Sequence, residues 1–193
     1  MIVPLPKEVS GALLASFMLG AMSCAPAAQS VPKLLPDGVQ IMAVDNGSAL
    51  LRQCSRASPE GGEPFWQPEA AQIIDVENAL IRFLAEHRGA HAQYIADERE
   101  RYGVDAHIAF DFGRNPQGWV RQYIGYTQGG QRMIYGNFLP MQDEAQMRLG
   151  QPNVVCDGGP QFFGVEFDIR TQQVVRVAFN GGFGGPFIDA LEN

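Results

Sequence analysis

The sequence predicts an α+β fold, with one main helix packed on an antiparallel sheet of about four strands. Three observations carry that prediction. Ile73, Val76, Leu80, Phe83, Leu84 and His87 recur at helical spacing and make one apolar stripe. Residues 119–127 and 131–139 are rich in Tyr, Ile and Trp and flank Gln128-Gly129-Gly130, a strand–turn–strand pattern. Phe163, Val165, Phe167 and Ile169 alternate with Gly164, Glu166 and Asp168, and Val175, Val177 and Phe179 alternate with Arg176 and Ala178.

In chain order, the first element is a leader, residues 1–27. Residues 11–22 (GALLASFMLGAM) are uncharged and mostly apolar, and Ser23-Cys24-Ala25-Pro26-Ala27 follows. The run is shorter than the ~20 apolar residues a spanning helix needs, and its Ala-x-Ala ending reads as an export signal. Two endings are open. Ala25-Pro26-Ala27 suits cleavage after Ala27. Ala21-Met22-Ser23-Cys24 resembles a bacterial lipobox, in which Cys24 becomes a lipidated N-terminus. Residues 28–40 hold Pro32 and Pro36 and read as a tether. Residues 41–193 then form a single α+β domain.

Within the domain, Asp45-Asn46-Gly47 lies between short apolar pieces and predicts a small hairpin. Residues 55–64 are a loop by composition. The main helix is expected over 68–88. Pro68 suits its first turn, Glu69 its positive dipole end, and Gly89 its cap. A polar second helix fits 90–102 and a short strand 106–112. A longer connection over 140–153 has room for a helical turn at 144–148. In the last hairpin, strict alternation implies one buried and one wetter face. The apolar positions on both strands are odd-numbered, so facing residues sum to an even number and the loop has an odd length. Glu166 and Arg176 then share the outer face and can pair, for at most ~1 kcal/mol.

Three cysteines are present, and either leader ending removes Cys24 from the thiol pool. Cys54 and Cys156 remain, and a lone pair in an oxidising compartment predicts a disulfide. It would close a loop of about 100 residues and contribute ~4–5 kcal/mol in the chain-entropy model. The net charge of −7 disfavours nucleic acid and anionic membranes as partners, because both need a basic face. Membrane association is expected only through a lipid on Cys24.

The chemistry-bearing motifs are few. His87 and His91 stand four apart, but Gly89 between them ends the helix and the His-Glu-x-x-His pattern is missing, so no metal is expected. Neither a nucleophile elbow, a Walker loop nor a dinucleotide fingerprint occurs, so no cofactor and no catalytic residue is assigned. Arg121, Tyr123, Tyr126, Tyr135, Asn137 and Asp157 form a candidate binding set. They meet on one sheet face or rim as interface anchors, or the aromatics are core and Arg121 and Asp157 an ion pair.

Two stretches stand out as strings. Arg121-Gln122-Tyr123-Ile124-Gly125-Tyr126 leads into Ile134-Tyr135-Gly136-Asn137-Phe138-Leu139-Pro140. Val155-Cys156-Asp157-Gly158-Gly159-Pro160-Gln161-Phe162-Phe163-Gly164-Val165-Glu166-Phe167-Asp168 leads to Phe179-Asn180-Gly181. These strings resemble a family of uncharacterised bacterial exported or lipid-anchored proteins. The hairpin with Asp168 and Thr171 resembles that of PepSY or cystatin-like proteins. The resemblance implies location and fold more than activity. The expected function is a non-enzymatic envelope module that binds another envelope or secreted protein, as an inhibitor, immunity or accessory factor. The alternatives are a hydrolase with a site around Asp111, His107 and Asp157, and a structural envelope component anchored through Cys24.

Overall fold

A β-rich sheet needs a cover on each apolar face, and the computed structural model shows two different covers. It describes residues 35–87, 96, 100, 116–141, 150–156, 158–180 and 188–189. The chain divides into units Met1–Pro32 and Lys33–Asn193, and the described residues belong to the second. The leader, Cys24, His91, His107, Asp111 and Asp157 lie outside them, as do the 106–112 strand, the 144–148 turn and almost all of the 90–102 helix.

The fold is α+β. The strands are β1 (Val39–Ile41), β2 (Gly62–Trp66), β3 (Trp119–Gln128), β4 (Gln131–Pro140), β5 (Phe163–Asp168), β6 (Gln173–Phe179) and β7 (Ile188–Asp189), and the helices are α1 (Gly47–Leu51) and α2 (Ala70–Glu86). The sheet is larger than the expected four strands: among the described residues it has seven, in the order β1-β3-β4-β5-β6-β7, with β2 also on β3. The long β3 explains the excess. Its ten residues pair with β4 along one edge. Its other edge takes β1 in parallel at 121–123 and β2 antiparallel at 125–127, end to end. Val39 and Ile41 pack on the core while Gln40 bonds Gln122, so β1 obeys the two-residue period despite its length.

The main helix starts later than expected. Glu69 keeps an extended backbone and caps α2, and its own N–H bonds the Gln72 side chain at 2.9 Å. This capping box leaves Pro68 before the helix. The predicted stripe is the buried face of α2, where Ile73, Val76, Leu80, Phe83 and Leu84 pack on Tyr123, Ile134, Phe138, Phe163, Val165 and Phe179. Each such side chain contributes ~1.5–3 kcal/mol of burial. Phe138 and Phe163 stack with ring centroids 4.5 Å apart at the centre of this face.

The hairpin expected around Asp45-Asn46-Gly47 is absent. Val44–Asn46 is a 3-10 turn running directly into α1, and Gly47 has helical backbone angles, so the turn chemistry of Asn-Gly is not used. Gly129 and Gly130, by contrast, both have positive φ and make the two-residue β3–β4 turn.

The last hairpin corrects two expectations. Phe163 to Glu166 pair with Phe179 to Arg176 in the expected even register, and Glu166 Oε1 accepts from Arg176 at 3.2 Å. A bulge then shifts the register, so Phe167 faces Val174 and Asp168 faces Gln173. The loop therefore has an even length, 169–172. Asp168 Oδ1 accepts from the backbone N–H groups of Arg170 and Thr171, which holds that turn. The face expected to be wetter is buried: Gly164, Glu166 and Asp168 are all covered. Its cover is residues 42–56 with the 150–156 segment. Met42, Leu50 and Leu51 pack there on Ile124, Tyr126, Met133 and Tyr135. Cys54 and Cys156 are bridged, with Cα atoms 5.0 Å apart and a sequence separation of 102.

Candidate functional site

The sheet alternation sends the candidate residues to opposite faces. Arg121 and Tyr123 lie under α2, whereas Tyr126, Tyr135 and Asn137 lie under the disulfide-linked cover. The expectation that they meet on one face thus gives way to two separate buried groups, for the simple reason that odd and even positions of β3 point apart. All five side chains are buried, so the aromatics are core. Asp157 lies outside the described residues.

Under α2, the Glu77 carboxylate accepts from Arg121 Nε at 2.9 Å and from Tyr123 Oη at 3.1 Å. Arg121 Nη1 also donates to the Trp119 and Pro116 carbonyls. This is a strand arginine neutralised by a helix carboxylate. Burial, with Glu77 beside it, pushes the Tyr123 phenol well above its ordinary value.

On the other face, the strings singled out above converge. Tyr135, Asn137, Gly164 and Asn180, from β4, β5 and the end of β6, line the seat of one side chain from outside the strings, Arg56, with Gln122, Tyr126 and Glu166 on the same face. Arg56 is 8 % exposed. Its Nε and Nη2 donate to Tyr135 Oη at 3.2 and 3.0 Å, and Nη1 donates to Asn180 Oδ1 at 2.8 Å. Nη2 also donates to Asn137 Oδ1. Gly164 makes room: a Cβ there would lie 2.5 Å from Tyr135 Oη and 3.0 Å from Arg56 Nε.

The amide ends of the same residues hold the 150–156 segment. Asn137 Nδ2 donates to Asn153 O at 2.8 Å, Gln122 Nε2 to Gln151 O at 2.7 Å, and Asn180 Nδ2 to Val155 O at 2.7 Å. Beside this cluster, Glu166 accepts from Tyr126 Oη at 2.7 Å. Burial first, then Glu166, raises the Tyr126 phenol; burial also raises Tyr135, against the pull of Arg56.

A cleft of about 310 Å³ lies between α1, the 58–61 loop and β2. Leu51 and Phe65 give it apolar walls, and Arg52, Glu63, Ser48 and Ser58 a polar rim. Neither Arg52 nor Glu63 is ion-paired among the described residues. His87 closes the last turn of α2, stacked on Phe83 at 4.1 Å with Nδ1 2.8 Å from the Phe83 carbonyl. Among the described residues, no three His, Cys, Asp or Glu side chains cluster as a metal site.

Sequence reasoning missed Arg56 and the cleft. Arg56 sits in a Ser-, Pro- and Gly-rich loop, and its place two residues after Cys54 is the only hint. Asn180, Gln122 and Glu166 were visible within the strings but carried no sign that they converge. Compared with known proteins, the chain significantly matches no family model, no curated protein and no solved structure.

Proposed function

We propose that this chain is an exported, non-enzymatic binding module that engages another envelope or secreted protein, in line with the bacterial exported proteins that its strings resemble. The cleft beside α1 and β2 carries the proposal. It combines apolar walls with a rim of opposite charges, Arg52 and Glu63, that are not ion-paired among the described residues, the composition of a recognition surface. The sheet behind it is covered on both faces and cross-linked, which favours a fixed surface over an adaptable one. Bridged Cys54 and Cys156 support action outside the cytoplasm, where disulfides persist.

The test is capture of a partner by the exported, C-terminally tagged chain from envelope and secreted protein fractions. Stoichiometric, salt-resistant capture that is lost in Arg52→Glu or Glu63→Lys, with the fold intact by circular dichroism, is the expected result. Capture unchanged in both variants removes the cleft from the interface. No partner for the wild-type chain rejects the binding module itself.

A further inference from the structure

The seat of Arg56 has a feature that plain packing does not require. The other buried or half-buried arginines on the sheet, Arg121 and Arg176, each meet a carboxylate. Arg56 meets three neutral oxygens, on Tyr135, Asn137 and Asn180, and no carboxylate among the described residues. Desolvating a guanidinium without a counter-ion is costly. Its segment carries a second cost: Gln53 Oε1 is buried and meets no donor among the described residues. The segment is otherwise irregular, and the 310 Å³ cleft undercuts it at Leu51, Arg52, Ser58 and Pro59. Besides the hydrogen bonds of Arg56, the disulfide joins the segment covalently to the body, and its two cysteines are both exposed.

The walls of the seat do not depend on that segment. Tyr135, Asn137 and Gly164 stand on paired strands β4 and β5. Asn180 is fixed through its backbone to Phe162 O at 2.8 Å and through its amide to Val155 O. Oxygens spread around a planar group fit the fork of a guanidinium, and an ammonium cannot reach them all at once.

We propose that this seat is a guanidinium-recognition site, with Arg56 its intramolecular occupant and the Cys54–Cys156 disulfide its latch, and that it opens to an arginine side chain of a partner protein when the disulfide is reduced; the proposal rests on the binding-module reading, because it names that partner's chemistry. The reductant is a dithiol. Its first thiolate attacks one sulfur of the bridge, forms a mixed disulfide and expels the other cysteine as thiolate. Its second thiol then closes the reductant's own disulfide. Two electrons and two protons pass to Cys54 and Cys156, and the dithiol is oxidised by the same two electrons. Without the bridge, the 52–61 segment lifts, Arg56 regains water, and the seat is vacant.

Two experiments on the full chain test this. In Arg56→Ala, ethylguanidinium is expected to raise the melting temperature saturably, as linkage requires, while ethylammonium does not and oxidised wild type responds to neither. A folded Arg56→Ala without that response rejects the recognition site. In wild type, dithiothreitol is expected to speed solvent exchange of the Arg56 Nε–H by about tenfold or more, and N-acetylarginine amide is expected to bind the reduced protein only. Unchanged exchange with both thiols titratable, or loss of the fold on reduction, rejects the latch. Partner capture that Arg52→Glu abolishes while both experiments fail overturns this site and leaves the binding module standing. Positive results without any captured partner do the reverse.

Discussion

Arg121 and Arg56 are buried on opposite faces of one sheet and are held in opposite ways. Arg121 stands on a central strand and meets Glu77 from α2, so secondary structure delivers both partners. Arg56 arrives on an irregular segment, meets only neutral oxygens among the described residues, and has a covalent cross-link two residues away. The difference teaches that the two covers have different origins. One is a capped, amphipathic helix whose apolar stripe would seek the sheet in any case. The other is a short helix and two loops with few apolar residues, for which the disulfide substitutes.

Alkali should break both faces together. Tyr123 on one face and Tyr126 and Tyr135 on the other all have phenols raised above the ordinary value, chiefly by burial. Unfolded phenols titrate near ~10. Stability is therefore full below that pH and falls as pH rises above it, because the unfolded chain releases protons first. Phenolate absorbance should show these three of the five tyrosines ionising only as the protein unfolds. Ionisation of all five while circular dichroism remains native would contradict their burial.

Single substitutions separate the faces. Arg121→Met leaves Glu77 buried without its cation and should cost about 3–5 kcal/mol in urea unfolding. Adding Glu77→Gln should recover a large part of that loss. Arg56→Met leaves only neutral acceptors behind and should cost less, about 1–3 kcal/mol. The reverse order would mean that the Arg56 seat, and not the ion pair, is the stronger anchor.

Much of the first face was legible in the sequence. The stripe of α2 has the helical period, and the strings of β3 to β6 have strand composition. Cys54 and Cys156 could be paired by elimination once Cys24 was assigned to the leader. The second face was not legible, for local reasons. Gly164, Glu166 and Asp168 look like a wet face because they are small or acidic, and nothing within β5 reveals that residues 42–56 will cover them. β1 and β2 are short and gain their place only from the free edge of β3. α1 was hidden by Asn46-Gly47, whose turn preference yields to packing of Leu50 and Leu51. At the candidate site, the strings marked the walls of the seat, but its occupant came from a loop with no pattern of its own.

The contrast between the two covers is tested most directly by native-state amide hydrogen exchange with the disulfide intact and then reduced. Reduction should strip protection from α1 and the amides of 52–56 and 150–156, while α2 keeps the protection it had. An equal loss in α2 and the second cover, or no loss in either, would show that the disulfide does not hold that face separately.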